Sequence, residues 1–194
     1  MSFGDPPDAA CWHHQGVLVG FEVVYFARDA PGGWRITGTT TALQDGEPAV
    51  VDYEIDVDAA WRTRSARIES RTAHGLCRRL VEGDGEGHWS VDGAAAGHLD
   101  GCLDLDLESS AMTNALPVHR LDLSLGDRAD APAVYVHLSG ARVDRLDQFY
   151  TRVKDVDGYQ RFEYEAPAFD FECRMVYDDA GLVLDYPGIA TRAH

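Results

Sequence analysis

Val51-Asp52-Tyr53-Glu54-Ile55-Asp56-Val57-Asp58 alternates apolar and acidic residues without a break. Successive side chains of an extended chain point to opposite faces, so the stretch puts Val51, Tyr53, Ile55 and Val57 on one side and its carboxylates on the other. A helix, with its 3.6-residue period, would scatter both sets around its axis. The stretch reads as a half-buried strand.

The same rhythm recurs along the chain. Leu103, Leu105 and Leu107 alternate with Asp104 and Asp106; Leu121, Leu123 and Leu125 with Asp122 and Ser124; Val134, Val136 and Leu138 with Tyr135 and His137; Phe169, Phe171, Cys173 and Met175 continue the pattern. Turn signals separate these runs: Ala30-Pro31-Gly32-Gly33, Asp45-Gly46, Gly83-Asp84-Gly85, Asp92-Gly93, Gly126-Asp127, Asp157-Gly158 and Asp178-Asp179-Ala180-Gly181. The expectation is about a dozen short strands joined by hairpins, mainly antiparallel and all-β. The most helix-like stretch, Ser109 to Leu116, is expected to stop at Pro117. No Pro-, Gly- or Ser-rich linker divides the chain, so residues 1–194 read as one domain, with 1–11 as a flexible N-terminal tail. Strands with one apolar face form a sandwich or a curled sheet, and a curled sheet encloses either a packed core or a ligand cavity.

Composition narrows the function. The 194 residues carry 33 Asp and Glu against 17 Lys and Arg, a formal net charge of -16. Nucleic acid and anionic bilayers, which are bound through clustered positive charge, are excluded as partners. The start of the chain lacks a basic segment followed by an apolar run, and no stretch reaches the roughly 18 apolar residues of a membrane span; the expectation is a cytoplasmic protein with no membrane insertion. Cys11, Cys77, Cys102 and Cys173 are scattered and read as reduced thiols. Cys11, His13 and His14 crowd together without a second cluster at metal spacing, which favours a surface or disordered His pair over a metal site. No nucleophile elbow, P-loop or dinucleotide fingerprint is present, and no cofactor is expected.

Several motifs together carry a resemblance: Gly87-His88-Trp89-Ser90-Val91-Asp92-Gly93, Cys102-Leu103-Asp104-Leu105-Asp106-Leu107, Thr113-Asn114-Ala115-Leu116-Pro117-Val118 and Gly181-Leu182-Val183-Leu184-Asp185-Tyr186-Pro187-Gly188. With Asp58-Ala59-Ala60-Trp61-Arg62-Thr63-Arg64 and Gln148-Phe149-Tyr150, they resemble the family named putative glycolipid-binding proteins, over about Trp12 to Arg192. The resemblance implies a spiral β-roll, a long curled sheet wrapped around one short helix, similar in shape to bacterial lipoprotein carriers and assembled as a homodimer. Where the family pattern has Pro-Phe ahead of Thr-Asn, this chain has Ala111-Met112, a flexible thioether in place of a ring.

Two functions of different class follow. The first is a carrier that holds a small apolar or amphipathic ligand, such as a glycolipid or fatty-acyl molecule, in the apolar interior. Its ligand-binding candidates are Trp61, Arg62, Arg64, Trp89, Thr113, Asn114, Gln148, Tyr150, Tyr164 and Tyr186. Arg62 and Arg64 would meet a polar head at the mouth through bidentate bonds, or else pair across strands with the carboxylates of Val51 to Asp58. Phe149, Tyr150, Tyr159, Phe162, Tyr164, Phe169 and Phe171 concentrate in the C-terminal third, as cavity lining or plain core. The second is an enzyme, a hydrolase, isomerase or cyclase, with Asp104, Asp106, Asp185 or Tyr186 as proton donor or acceptor. Asp104 and Asp106 share a strand face about 7 Å apart; facing solvent is their plainest reading, and bracing the Thr113-Asn114 loop the next.

Overall fold

The computed structural model describes residues 3–29 and 32–193. It opens with β1 (Ala9–His14), followed by the long strands β2 (Leu18–Asp29), β3 (Gly33–Gln44), β4 (Glu47–Val57), β5 (Thr63–Thr72) and β6 (Gly75–Gly83). Two short strands, β7 (Trp89–Val91) and β8 (Ala94–Ala95), end this half. The middle of the chain gives β9 (Asp104–Leu107), the helix α1 (Ala115–Leu121), β10 (Arg128–Asp130), β11 (Ala133–Val136) and β12 (Val143–Leu146). It closes with β13 (Phe149–Val156), β14 (Tyr159–Ala166), β15 (Phe171–Tyr177), β16 (Val183–Tyr186) and β17 (Ala190–Arg192).

Among the described residues these form a 14-stranded sheet and a 3-stranded one. The large sheet is antiparallel throughout and runs β10-β13-β14-β15-β16-β17-β1-β2-β3-β4-β5-β6-β7-β8, so it is open, with β10 and β8 at its edges. Its halves meet where the first strand pairs the last, Trp12 opposite Arg192, and Trp12 Nε1 donates to Val183 O at 2.7 Å. The small sheet sets β9 parallel to β11 and β12 antiparallel to it.

The quoted alternation does become β4, with Val51, Tyr53, Ile55 and Val57 buried. The hairpin of β4 and β5 sets Tyr53 opposite Ile68 and Ile55 opposite Ala66. These inward columns join Trp12, Val24, Ile36, Phe162, Met175 and Val183 in one core that encloses Leu116 and Val118 of α1. Each such side chain gains about 1.5–3 kcal/mol on leaving water. Three Asp-Gly pairs close tight hairpins with both residues at positive φ, Asp45-Gly46 (51° and 85°), Asp92-Gly93 (51° and 79°) and Asp157-Gly158 (56° and 87°). Such turns match the twist of the strands they join.

Five readings of the sequence are corrected. Pro117 does not stop the helix: it is the third residue of α1, in the first turn, where a missing N–H costs nothing. The helix ends instead at Asp122, at left-handed φ 42°. Leu121 therefore closes a helix, and Leu123 and Leu125 lie in the loop after it, not in a strand. Asp104 and Asp106 do not face solvent, since all four residues of β9 are buried. Phe169 lies in a helical turn (Pro167–Phe169) and is exposed, so the alternation starts at Phe171. Ala9 to Cys11, placed in the N-terminal tail above, form the first half of β1. Ala30 and Pro31 of one expected turn lie outside the described residues, as do Met1 and Ser2.

Candidate functional site

A cleft of about 350 Å³ opens between the large sheet and β9 with β11. Its floor is buried and polar: His14 from β1, Asp106 from β9, Ser110 and Asn114 ahead of α1, Tyr164 from β14 and Tyr186 from β16. Its mouth is exposed and largely apolar, with Val17 68% and Phe169 53% exposed, next to Phe171 and Ile189, and with Gln15 as its exposed polar residue. Leu18, Leu107, Leu146 and Ala166 complete the walls.

The floor is fixed from beneath. Glu22, fully buried on β2, accepts from Tyr53 Oη (2.6 Å), from the Ser110 hydroxyl and from Ala111 N (2.9 Å). Tyr53 reaches it by lying across Gly38, where a Cβ would come within 2.2 Å of the ring. His14 Nε2 stands 3.4 Å from Glu22 Oε2, near enough for attraction, yet neither ring nitrogen of this buried imidazole makes a hydrogen bond. Thr113 Oγ1 donates to Asp106 Oδ1 at 3.0 Å. Burial pushes the Asp106 carboxyl up to about 6 against the pull of that bond, and Glu108 and Asp104 add to the rise. Burial also raises the phenols of Tyr164 and Tyr186, whose rings meet edge to face at 5.9 Å.

The sequence candidates divide sharply. Asp106, Asn114, Tyr164 and Tyr186 line the cleft. Thr113 braces Asp106, and Tyr150 Oη donates to Asn114 Oδ1 at 3.0 Å. Asp104 lies behind the floor, where Arg120 of α1 holds both its oxygens at 2.9 and 2.6 Å. Asp185 neighbours Tyr186 on β16 and so points to the opposite face of the sheet. Gln148 is buried outside the cleft lining, and Trp89 packs in the core with Nε1 donating to Cys102 O at 2.8 Å. Trp61 stacks on His119 at 3.7 Å, while Arg62 meets Gly85 O at 3.3 Å and Arg64 pairs Asp58 at 3.7 Å. None of these three lines the cleft. Pairing with the carboxylates of 51–58 is thus realised by Arg64 with Asp58, and further along β5 by Arg67 with Glu54 at 2.6 Å.

His14, Glu22, Ser110 and Tyr135 were not among the candidates. His14 was read as surface or disordered, and the structure corrects this: it is 4% exposed. Its signal was parity, since His14 shares the inward face of β1 with Trp12 and Ala10, and Glu22 that of β2 with Val24 and Phe26. A wider hollow of about 920 Å³ lies over the outer face of β2 to β6. Its charges are spent on one another, Arg67 with Glu54 and Arg78 with Glu69 at 2.7 Å. Among the described residues, no group of three or more His, Cys, Asp or Glu is placed to hold a metal ion, and no helix is long and apolar enough to cross a membrane.

An open, curled antiparallel sheet wrapped around one short helix, with a polar-floored cleft at its side, defines an all-β protein of β-roll type. Residues 9–192 match the family described as "Putative glycolipid-binding", and the chain belongs to it. It is similar to the crystal structure of a DUF1089 family protein from Pseudomonas aeruginosa, with 31% identity, a TM-score of 0.76, and 87% of this chain and 91% of that one covered. A beta-barrel-like protein of the domain of unknown function DUF1849 from Brucella abortus shares the fold at 12% identity, a TM-score of 0.51, and 95% and 93% coverage. Comparison with the curated proteins finds no match.

Proposed function

We propose that the cleft binds a small amphipathic molecule, or one end of a larger one, with its polar head on the buried floor and its apolar chain against the mouth. The polarity of the lining carries this reading: His14, Asp106, Ser110, Asn114, Tyr164 and Tyr186 are buried at the floor, whereas the exposed lining residues, Gln15 apart, are the apolar Val17 and Phe169. The orientation is the reverse of an apolar interior with arginines at the entrance. About 350 Å³ is at the small end of ligand sites, enough for a head group and part of a chain. The family description supports a glycolipid-type ligand. The reading takes the protein as a cytoplasmic homodimer; the unpaired edges β8 and β10 support association, and sedimentation at micromolar concentration tests it.

Native mass spectrometry of the purified protein tests the main reading. Retention of a small amphiphile that octyl glucoside displaces is the expected result. An empty protein that takes up neither octyl glucoside nor the neutral dye Nile red would overturn it.

One observation favours a second reading, an enzyme on the same cleft. Asp106 is buried beside Tyr164 and Tyr186, and its carboxyl titrates at about 6, a range suited to proton transfer. A screen of apolar esters and glycosides against wild type and Asp106→Asn tests it. Turnover that falls at least about 100-fold in the variant supports an enzyme, and no turnover in wild type removes it.

A further inference from the structure

The chemistry of the floor restricts the head group, given that the cleft is the binding site. Among the described residues no Arg or Lys lines it, whereas Asp106 and Glu108 do. The guanidinium of Arg120, which reaches β9 from α1, is taken up by its paired bonds to Asp104. A phosphate or carboxylate seated here would lose its water and face carboxylates with no counter-charge, which burial makes strongly unfavourable.

An ammonium head keeps the attraction of these carboxylates but finds few vacant acceptors to replace its water, because most of their oxygens are already hydrogen-bonded. Glu22 is saturated by Tyr53, Ser110 and Ala111 N. Glu108 accepts from Gln44 Nε2 at 3.0 Å and from Leu138 N at 2.7 Å, with His137 at 3.7 Å. Asp106 takes the Thr113 hydroxyl on one oxygen.

What the floor offers is an imidazole without hydrogen bonds, the carboxyl of Asp106 and the phenols of Tyr164 and Tyr186. A neutral imidazole has one donor and one acceptor nitrogen, and a hydroxyl group both donates and accepts. A buried imidazole left unpaired is costly, so a ligand that satisfies it gains accordingly.

We propose that the floor of the cleft selects an uncharged, hydroxyl-bearing head group, with His14 as its principal hydrogen-bonding contact. Glu22 stands behind His14, 3.4 Å from its Nε2, and its three hydrogen bonds keep it from swinging toward the ligand. Tyr164 and Tyr186 add ring faces and hydroxyls at the side, a setting suited to a sugar or another polyol.

Displacement of Nile red by four octyl-chain probes below their micelle concentrations tests this: octyl β-glucoside, octyl phosphate, octanoate and octylammonium. The glucoside should bind at least about 10-fold more tightly than each charged probe. His14→Phe, which keeps a ring in place, should weaken the glucoside about 10-fold and leave Nile red unaffected. His14→Gln, which keeps a donor and an acceptor, should recover much of the loss. Equal or tighter binding of any charged probe would overturn the proposal, as would glucoside binding indifferent to His14→Phe in a variant that still binds the dye. If neither Nile red nor any of the four probes binds, the cleft itself is not the site and the proposal goes with it.

Discussion

Tyr53 Oη donates to Glu22 Oε1 at 2.6 Å although the two residues lie on strands separated by β3. The ring crosses β3 at Gly38, which pairs Tyr53 on one side and Val24 on the other. A glycine thus determines whether a carboxylate beneath the cleft is held in place. Desolvation and the Glu22 charge both raise the Tyr53 phenol, so this hydroxyl stays a donor.

Gly38→Ala should therefore destabilise the protein well beyond an ordinary strand substitution. Its Cβ would lie 2.2 Å from Tyr53 Cζ, and the ring must leave. The expected loss is about 2–4 kcal/mol, read by urea unfolding. A loss under about 0.5 kcal/mol would mean the ring has room elsewhere.

Stability should fall as pH rises through the titration of Asp106. Its folded pKa of about 6 exceeds the unfolded value near 3.8, so the folded state binds more protons between the two. The contribution is most favourable below about pH 4 and is lost by about pH 6, at a cost of about 2–3 kcal/mol above that. Asp106→Asn, which cannot ionise, should be more stable than wild type at pH 7.5 by about 2 kcal/mol and converge on it near pH 4. A difference that does not change with pH would refute the assignment.

Asp104 and Arg120 form a buried pair that ties β9 to α1. Burial pushes the Asp104 carboxyl up, and the two Arg120 bonds pull it back. Arg120→Met leaves a carboxylate uncompensated and should cost about 3–5 kcal/mol. Adding Asp104→Asn should restore part of that, so the double variant should be more stable than Arg120→Met alone in thermal unfolding.

Phe169 and Val17 are exposed at the mouth and bury little in the free protein. Phe169→Ser should leave the melting temperature within about 2 °C while weakening octyl glucoside about 3- to 10-fold through lost apolar contact. Calorimetry with a methyl glucoside should show a smaller effect, since it lacks the chain. Unchanged octyl glucoside affinity would place the chain elsewhere.

The sequence by itself determined the strands and their tight turns. Alternation over residues 51–58 and the Asp45-Gly46, Asp92-Gly93 and Asp157-Gly158 pairs depend only on local backbone geometry, which neighbouring residues encode. The motifs also carried the family, because their order along the chain survives without any knowledge of contacts. About a dozen short strands fell short of the observed β1 to β17, since β7, β8, β10 and β17 are too brief to show a period.

Tertiary structure decided which faces are covered, and with them the site. Asp104-Leu105-Asp106-Leu107 has the same alternation as a surface strand, but β9 lies between the large sheet and α1 and is buried on both faces. The Leu121-Asp122-Ser124 rhythm fits a strand or a helix end equally over so few residues, and packing of α1 into the core chose the helix. His14, Glu22, Asp106 and Tyr186 are far apart in sequence, and only the β1–β17 closure and the small sheet bring them beside one cleft. Periodicity reports the direction of a side chain relative to its own strand. It carries no information on what another strand lays across it, and burial of polar groups, the feature that defines this site, is a property of the covering strand.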